Sequence, residues 1–192
     1  MSTTAEPIRR TTADPVQRRR ALRHLACPVS VLTVSHQGRL HGTTASQVTT
    51  VSQRPLIVGA SLKAGSVLAE LAAGAGRFGI NVVGGGQSGT ARWFADSSRP
   101  DGAAQFAGLD WRPARYSGAP LLDGALAHID CRVAGRIRVG DHEVLLGRVV
   151  HATAGEGEPL LSFAGGLYVG ALLPVPVQGP GVSGTRKENV GL

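Results

Sequence analysis

Between Gly42 and Ser52 the chain reads Gly-Thr-Thr-Ala-Ser-Gln-Val-Thr-Thr-Val-Ser, a run of small hydroxyl residues on what must be extended backbone. Hydroxyls donate and accept, and with accessible backbone N–H groups they suit a polyol, a phosphate or the edge of a heterocycle. The same run also reads as an edge strand that uses Thr for its β preference. Downstream, Ser61-Leu62-Lys63-Ala64-Gly65-Ser66 joins a strand to a helix start. One ammonium, two hydroxyls and a helix N-terminus converge there, as a phosphate seat requires. Ser66 equally reads as a plain N-cap. The six histidines, His24, His36, His41, His128, His142 and His151, are scattered, and no two share metal-ligand spacing within one element. Gly84-Gly85-Gly86 follows a strand but lacks the GxGxxG spacing, and GxSxG, HExxH and P-loop patterns are missing. Paired carboxylates at useful spacing are missing too, which weakens hydrolase, metalloenzyme and kinase readings. No metal site is expected.

The elements that must position these residues fit one domain. The chain has 192 residues, 42% hydrophobic and 17% charged, which argues against disorder and against a fibrous repeat. No apolar stretch approaches the ~18 residues of a membrane span. Arg-rich residues 1–23 have no apolar block behind them, so a secretory signal is not expected. Cys27 and Cys131 stand alone and read as structural thiols in a reducing cytoplasm. Six arginines against Glu6 and Asp14 put +4 of the net +7 into those first 23 residues. A basic arm over 1–13 therefore precedes a nearly neutral body. Eight aromatics leave little to stack on bases, so nucleic acid is not the expected partner.

Asp14-Pro15-Val16-Gln17 is a helix start, with an apolar stripe of Val16, Leu22, Leu25 and Ala26 running to Cys27-Pro28. Val29–Ser35 reads as a strand, a second extended run follows until Arg54-Pro55, and Leu56–Ala60 is a short buried strand. Ser66–Ala73 reads as a helix closed by Gly74, Phe78–Val83 as a strand, and Gln87–Ala95 as a helix. Ile129, Cys131, Val133, Ile137 and Val139 alternate with polar residues, and beyond the Gly140-Asp141 turn Val144–Thr153 returns as the partner strand. Short strands joined by turns favour an antiparallel barrel or sandwich with a few peripheral helices. The Pro/Gly-rich residues 171–192 read as a loose tail beyond a domain at 14–170.

In order and spacing, CPVSVLTVSHQGRLHGTTASQVTTVSQRPLIVGASL, RFGINVV, ARWFA, SGAPLLDGALAHIDCRV, GDHEVLLGRV and PLLSFAGGLY resemble the flavin reductase-like, FMN-binding split-barrel family. These are the small reductases that supply reduced flavin to two-component monooxygenases. The resemblance covers residues 18–169 and implies a mainly β fold: a six-stranded antiparallel, Greek-key split barrel that forms a homodimer, with flavin near the interface. It implies flavin-ring and ribityl contacts from Thr44, Ala45, Ser46, Gln47 and Thr50. Phosphate contacts fall to Ser61, Lys63 and Ser66, with Arg92 as a further flavin contact. His142, of the Gly-Asp-His motif, falls beside the nicotinamide; as a bare residue it reads as a turn or interface histidine.

The resemblance also implies FMN or FAD as cofactor, NADH or NADPH as hydride donor, a separate monooxygenase as partner, and a cytoplasmic location. Hydride transfer between two cofactors needs orientation more than an acid–base set, which fits the missing motifs. Two departures stand out: Val48 where relatives carry an aromatic, and Ala64 where they often carry Ser. Both leave open a fold-mate repurposed to bind or transform another small organic ligand without reductase turnover.

Overall fold

A computed structural model describes residues 14–170 with 172 and 173; the basic arm at 1–13 and the rest of the tail at 171–192 lie outside the described residues. The chain forms α1 (Pro15–Leu22), β1 (Cys27–Pro28), β2 (Ser30–His36), β3 (Arg39–Ala45), β4 (Val48–Gln53) and β5 (Leu56–Lys63). There follow α2 (Val67–Ala75), β6 (Arg77–Val82), α3 (Ser88–Ala95), β7 (Trp111–Pro113) and β8 (Pro120–Leu122). The long hairpin β9 (Ala127–Val139) and β10 (His142–Ala154) precedes β11 (Leu160–Phe163) and β12 (Gly166–Val169).

Seven strands make one antiparallel sheet in the order β3-β2-β6-β9-β10-β5-β4. The fold is mainly β, as the sequence indicates, but this sheet has seven strands where six were expected. The extended run after Arg39 divides at Ser46-Gln47, and its halves, β3 and β4, stand at the two ends of the strand order. Six inter-strand spacings of a flat sheet amount to about 29 Å, which a two-residue link cannot span. The sheet must therefore curl. Accordingly, Ser61 N–H donates to Gln47 O at 2.9 Å, and β3 and β5 approach within 8 Å.

Strand β2 is buried on both faces, which explains its continuous apolar reading. Leu32 and Val34 face a core shared with Phe78, Ile80, Cys131, Leu145 and the Leu68, Ala69 and Ala72 face of α2. Val29 and Val31 face a second cluster with Ala91, Phe94, Phe106, Leu122 and Leu160. Burial, with the nearby Asp130 carboxylate, pushes the Cys131 thiol up to about 12, so it stays protonated and inert.

Several expected boundaries moved. The Asp14 side chain caps α1, accepting from Val16 N at 3.0 Å, but the helix stops at Leu22 and buries none of its residues. The Val16, Leu22 and Leu25 stripe is exposed. Helix α2 runs through Gly74 and ends at Gly76, whose φ of 69° supplies the left-handed cap. Gly74 instead makes room for His36, whose ring an added Cβ would meet at 3.0 Å. In β9 the alternation holds only over the first half, because Ile137 and Val139 are exposed near the hairpin tip. Asp130, on the polar side of that pattern, is buried and accepts from the Tyr116 and Ser117 N–H groups. Among the described residues no helix is long and apolar enough to cross a membrane.

The tightest backbone approach falls in the middle of β3. At Gly42 an added Cβ would lie 2.5 Å from Phe94 Cε1 and 3.3 Å from Phe106 Cζ. Both rings are buried, so they cannot yield cheaply. Gly42→Ala should cost about 1–3 kcal/mol of stability, read as a lowered denaturation midpoint. Gly89→Ala, in open space on α3, should cost far less in the same measurement.

Candidate functional site

A cleft of about 790 Å³ opens between β3, the Ser46-Gln47 corner and the β5–α2 junction. The segment after α3 forms its other wall, and His142 stands at its rim. Alternate residues of β3, Arg39, His41, Thr43 and Ala45, line about 20 Å of its length, as a period-2 strand face must. The volume lies within the range of small-molecule and cofactor sites.

At the β5–α2 junction Lys63, exposed at the end of its strand, precedes a turn that ends at the N-terminus of α2. Ser66 holds the N-cap position, yet its side chain makes no capping hydrogen bond. Its hydroxyl is thus free for a ligand, beside N–H groups that the helix geometry leaves unpaired. Opposite Lys63 in the β5–β10 register stands His142, whose Nδ1 lies 2.9 Å from Asp141 Oδ1. The hydrogen bond from His142 holds the Asp141 carboxyl below the usual carboxylate range. The Ala64 N–H donates to Asp141 O at 3.0 Å, so the hairpin turn and the β5–α2 junction are fastened together.

The opposite wall is organised by Gln105, which is 2% exposed. Its Oε1 accepts from Gly42 N at 2.9 Å, which leaves its Nε2 to donate to His41 Nδ1 at 3.1 Å. A second bond, Trp93 Nε1 to Gln105 O at 2.8 Å, fixes its backbone. His41 is therefore the neutral tautomer with its proton on Nε2. Burial first, then the Arg99 and Arg39 guanidiniums, push its pKa down to about 4 against the opposing pull of Asp101. Asp101 pairs with Arg39 at 2.7 Å. Arg99 donates to Gly42 O at 2.6 Å and to Asp96 O, but its buried Nε has no partner among the described residues.

The structure brings Thr44, Ala45, Ser46, Gln47, Ser61, Lys63, Ser66 and His142 to this one cleft. Thr44 spends its hydroxyl on Ala91 O at 2.6 Å, tying β3 to α3. Two expected residues are not brought there. Thr50 lies past the corner, opposite Val58 on exposed edge strand β4. Arg92 lines an adjoining groove of about 420 Å³, with Ser162 and Gly166, that shares Thr44 and Ala95 with the cleft. Sequence reasoning missed Arg39, His41, Arg99, Asp101 and Gln105. The i, i+2 spacing from Ala45 back to Arg39 was a usable signal for the first two. The others arrive from a segment some sixty residues away, with no local signature.

The burial of a neutral His41 has a consequence for stability. Between pH 6.5 and about 4 the unfolded chain binds a proton that the folded chain refuses. This contribution is fully present above pH 6.5 and is lost as pH falls toward 4. The denaturation temperature should decline through that window, and His41→Gln should flatten the decline.

The model of the family described as "Flavin reductase like domain" matches residues 22–171. The NADPH-flavin oxidoreductase of Streptomyces viridifaciens is 37% identical over 147 residues, 76% of each chain. The reductase component of the 4-nitrophenol 4-monooxygenase/4-nitrocatechol 2-monooxygenase of Rhodococcus opacus is 30% identical, covering 83% of this chain and 85% of its own. The solved structure of the Streptomyces globisporus NADH:FAD oxidoreductase in complex with NAD and FAD fragments superposes with a TM-score of 0.75. It is 34% identical and covers 82% of this chain and 93% of its own. With the matched region spanning the curled sheet and every wall of the cleft, the chain belongs to the flavin reductase-like domain family.

Proposed function

We propose that this protein is an NAD(P)H:flavin oxidoreductase that reduces FMN or FAD for a separate monooxygenase. The observation that carries this reading is the cleft itself. It joins the Lys63 ammonium, a Ser66 hydroxyl that makes no capping bond and a helix N-terminus to the hydroxyl and backbone edge of Thr44–Gln47. The residues fit a flavin nucleotide: the size is right, and the lining sets the Lys63 and Arg99 cations beside the hydroxyls of Thr43, Ser46, Ser61 and Ser66. When bound, the flavin supplies an N5 that accepts hydride from dihydronicotinamide C4.

The chain's own residues bind and orient. Lys63, Ser66 and the first turn of α2 hold the phosphate, with Ser61 beside them. The Thr44–Gln47 corner fixes the ring edge and ribityl chain, while Thr50 and Arg92 have supporting or indirect roles. His142, rigidly paired to Lys63, flanks the nicotinamide through shape and hydrogen bonding, since hydride transfer consumes no protein proton. In this reading the curled sheet is the family's split barrel. The exposed Val51 and Leu56 suit burial between two copies in a homodimer, working in the cytoplasm as residues 14–170.

The repurposed-ligand alternative draws no support from the cleft. Val48 packs against the core and Ala64 lies outside the lining, so neither places a new group in the cleft. Purified protein mixed with NADH or NADPH and free FMN or FAD should oxidise the nicotinamide only when flavin is added. No turnover with any pairing would refute the reading. Lys63→Ala should raise the apparent flavin constant on the order of tenfold while leaving the fold intact, since the side chain is exposed. His142→Ala should raise the KM for NAD(P)H and lower kcat with little change in flavin affinity, and His142→Asn should retain more activity. A His142 variant that loses flavin binding but keeps its nicotinamide kinetics would assign the residue to the flavin.

A further inference from the structure

We propose that the His41 Nε2–H and the Arg99 guanidinium form a second phosphoryl-binding subsite on the β3 wall of the cleft, with Gln105 as its positioning residue. The inference deepens the flavin reductase reading and rests on it for the identity of the ligand. The Lys63–Ser66 phosphate seat stands on the β5–α2 side. The opposite wall needs a separate explanation, because its polar groups are unusually organised for a surface that binds nothing.

Three observations converge. First, the amide of Gln105 is locked at both ends, by Gly42 N–H and by His41 Nδ1, so the imidazole orientation and tautomer are fixed. His41 lines the cleft, and its Nε2 has no partner among the described residues. Second, Arg99 also lines the cleft and is anchored only through backbone carbonyls, those of Gly42 and Asp96. Among the described residues it has no carboxylate within ion-pair distance, and its buried Nε–H is unsatisfied. Third, Asp101, the carboxylate that lines the cleft on this wall, is engaged by Arg39 at 2.7 Å and lies 3.9 Å from His41 Nδ1. It pairs with Arg39, while Arg99 feels Asp96 and Asp101 only from beyond ion-pair distance among the described residues.

A neutral N–H donor beside an unpaired guanidinium is an anion site, and donors in that arrangement match phosphoryl oxygens. A carbonyl ligand would not need the cation. Arg39, Arg99 and Asp101 are the charged groups that face His41. Burial first, and then the two guanidiniums against Asp101, keep the imidazole a fixed donor rather than a titrating one. Either of two nucleotides can bring the phosphoryl group: the flavin monophosphate, or the diphosphate of the nicotinamide dinucleotide.

The test uses the full chain and three probes: riboflavin, which has no phosphate, FMN, and ADP-ribose, which carries the dinucleotide's diphosphate. Flavin fluorescence and calorimetric titration give the dissociation constants. Arg99→Gln, on an accessible segment, and His41→Gln should each weaken at least one phosphate-bearing probe roughly tenfold or more, with riboflavin within about twofold. Loss confined to FMN assigns the subsite to the flavin phosphate, and loss confined to ADP-ribose assigns it to the dinucleotide. Equal loss for riboflavin and FMN, no change for any probe, or no phosphate-bearing probe binding to the wild type overturns the proposal.

The role of Gln105 is read separately. Histidine nitrogen shifts should report a neutral Nε2–H imidazole for His41 from pH 5.5 to 8. Gln105→Glu should move the ring proton to Nδ1 or protonate both nitrogens. A wild-type His41 that carries its proton on Nδ1, or titrates in that range, also overturns the proposal. Turnover of NADH by the wild type is scored on its own. Its absence refutes the reductase, whereas normal turnover with unchanged probe binding in the variants refutes only the subsite.

Discussion

The cleft exists because α3 and the 3-10 turn Gly102–Phe106 can sit directly on the backbone of one strand, β3. Gly42 has no side chain, and the Phe94 and Phe106 rings occupy the space where a Cβ would be. The bare peptide then serves as a fitting: its N–H is taken by Gln105 and its C=O by Arg99. Thr44 repeats the device two residues on, donating to the α3 carbonyl of Ala91. These contacts hold the segment after α3 as a wall facing the β5–α2 junction. Without the close approach, β3 would be an ordinary sheet end with its alternate residues open to water.

The same contacts set the electrostatics. A wall built from two arginines, one aspartate and a histidine has a choice of charge states, and burial removes it. Desolvation and the flanking guanidiniums hold His41 neutral, so its proton count does not change near neutral pH. On this wall the one histidine is a fixed donor and the Asp101 carboxylate is engaged by Arg39. That composition suits transfer of a hydride between two bound heterocycles, where ring placement governs the rate and an ionising group would add nothing.

The elements were legible in the sequence wherever a pattern was local. The Asp14-Pro15 cap, the β9–β10 hairpin and the helix ending at Ala95 follow from short-range chemistry, as does the hydroxyl run that became the Thr44–Gln47 corner. The division of that run was not legible. Nothing local marks Ser46-Gln47 as a corner, because the corner is imposed by the sheet curling until its ends meet. Arg99 and Gln105 were invisible for a related reason: each acts on β3 from about sixty residues away. The spacing that made Asp130 look solvent-facing failed because two backbone N–H groups, at Tyr116 and Ser117, require an acceptor there.

The two sides of the site are also not independent. Arg136 of β9 is clasped by Glu143 of β10 and by Glu70 of α2, the latter at 2.6 Å, and both carboxylates hold the guanidinium firmly protonated. Glu143 is buried, so it needs this partner, because a buried carboxylate without one is strongly unfavourable. The pair therefore ties the hairpin that carries His142 to the helix whose N-terminus adjoins Ser66. With the His142–Lys63 register and the Ala64–Asp141 bond, the strand ends that carry the rim histidine and the lysine are tied to the start of the helix. The segment after α3 joins this assembly through β3, whose Ser46-Gln47 corner accepts from Ser61 N–H of β5 at 2.9 Å, so the two walls are held at a fixed separation.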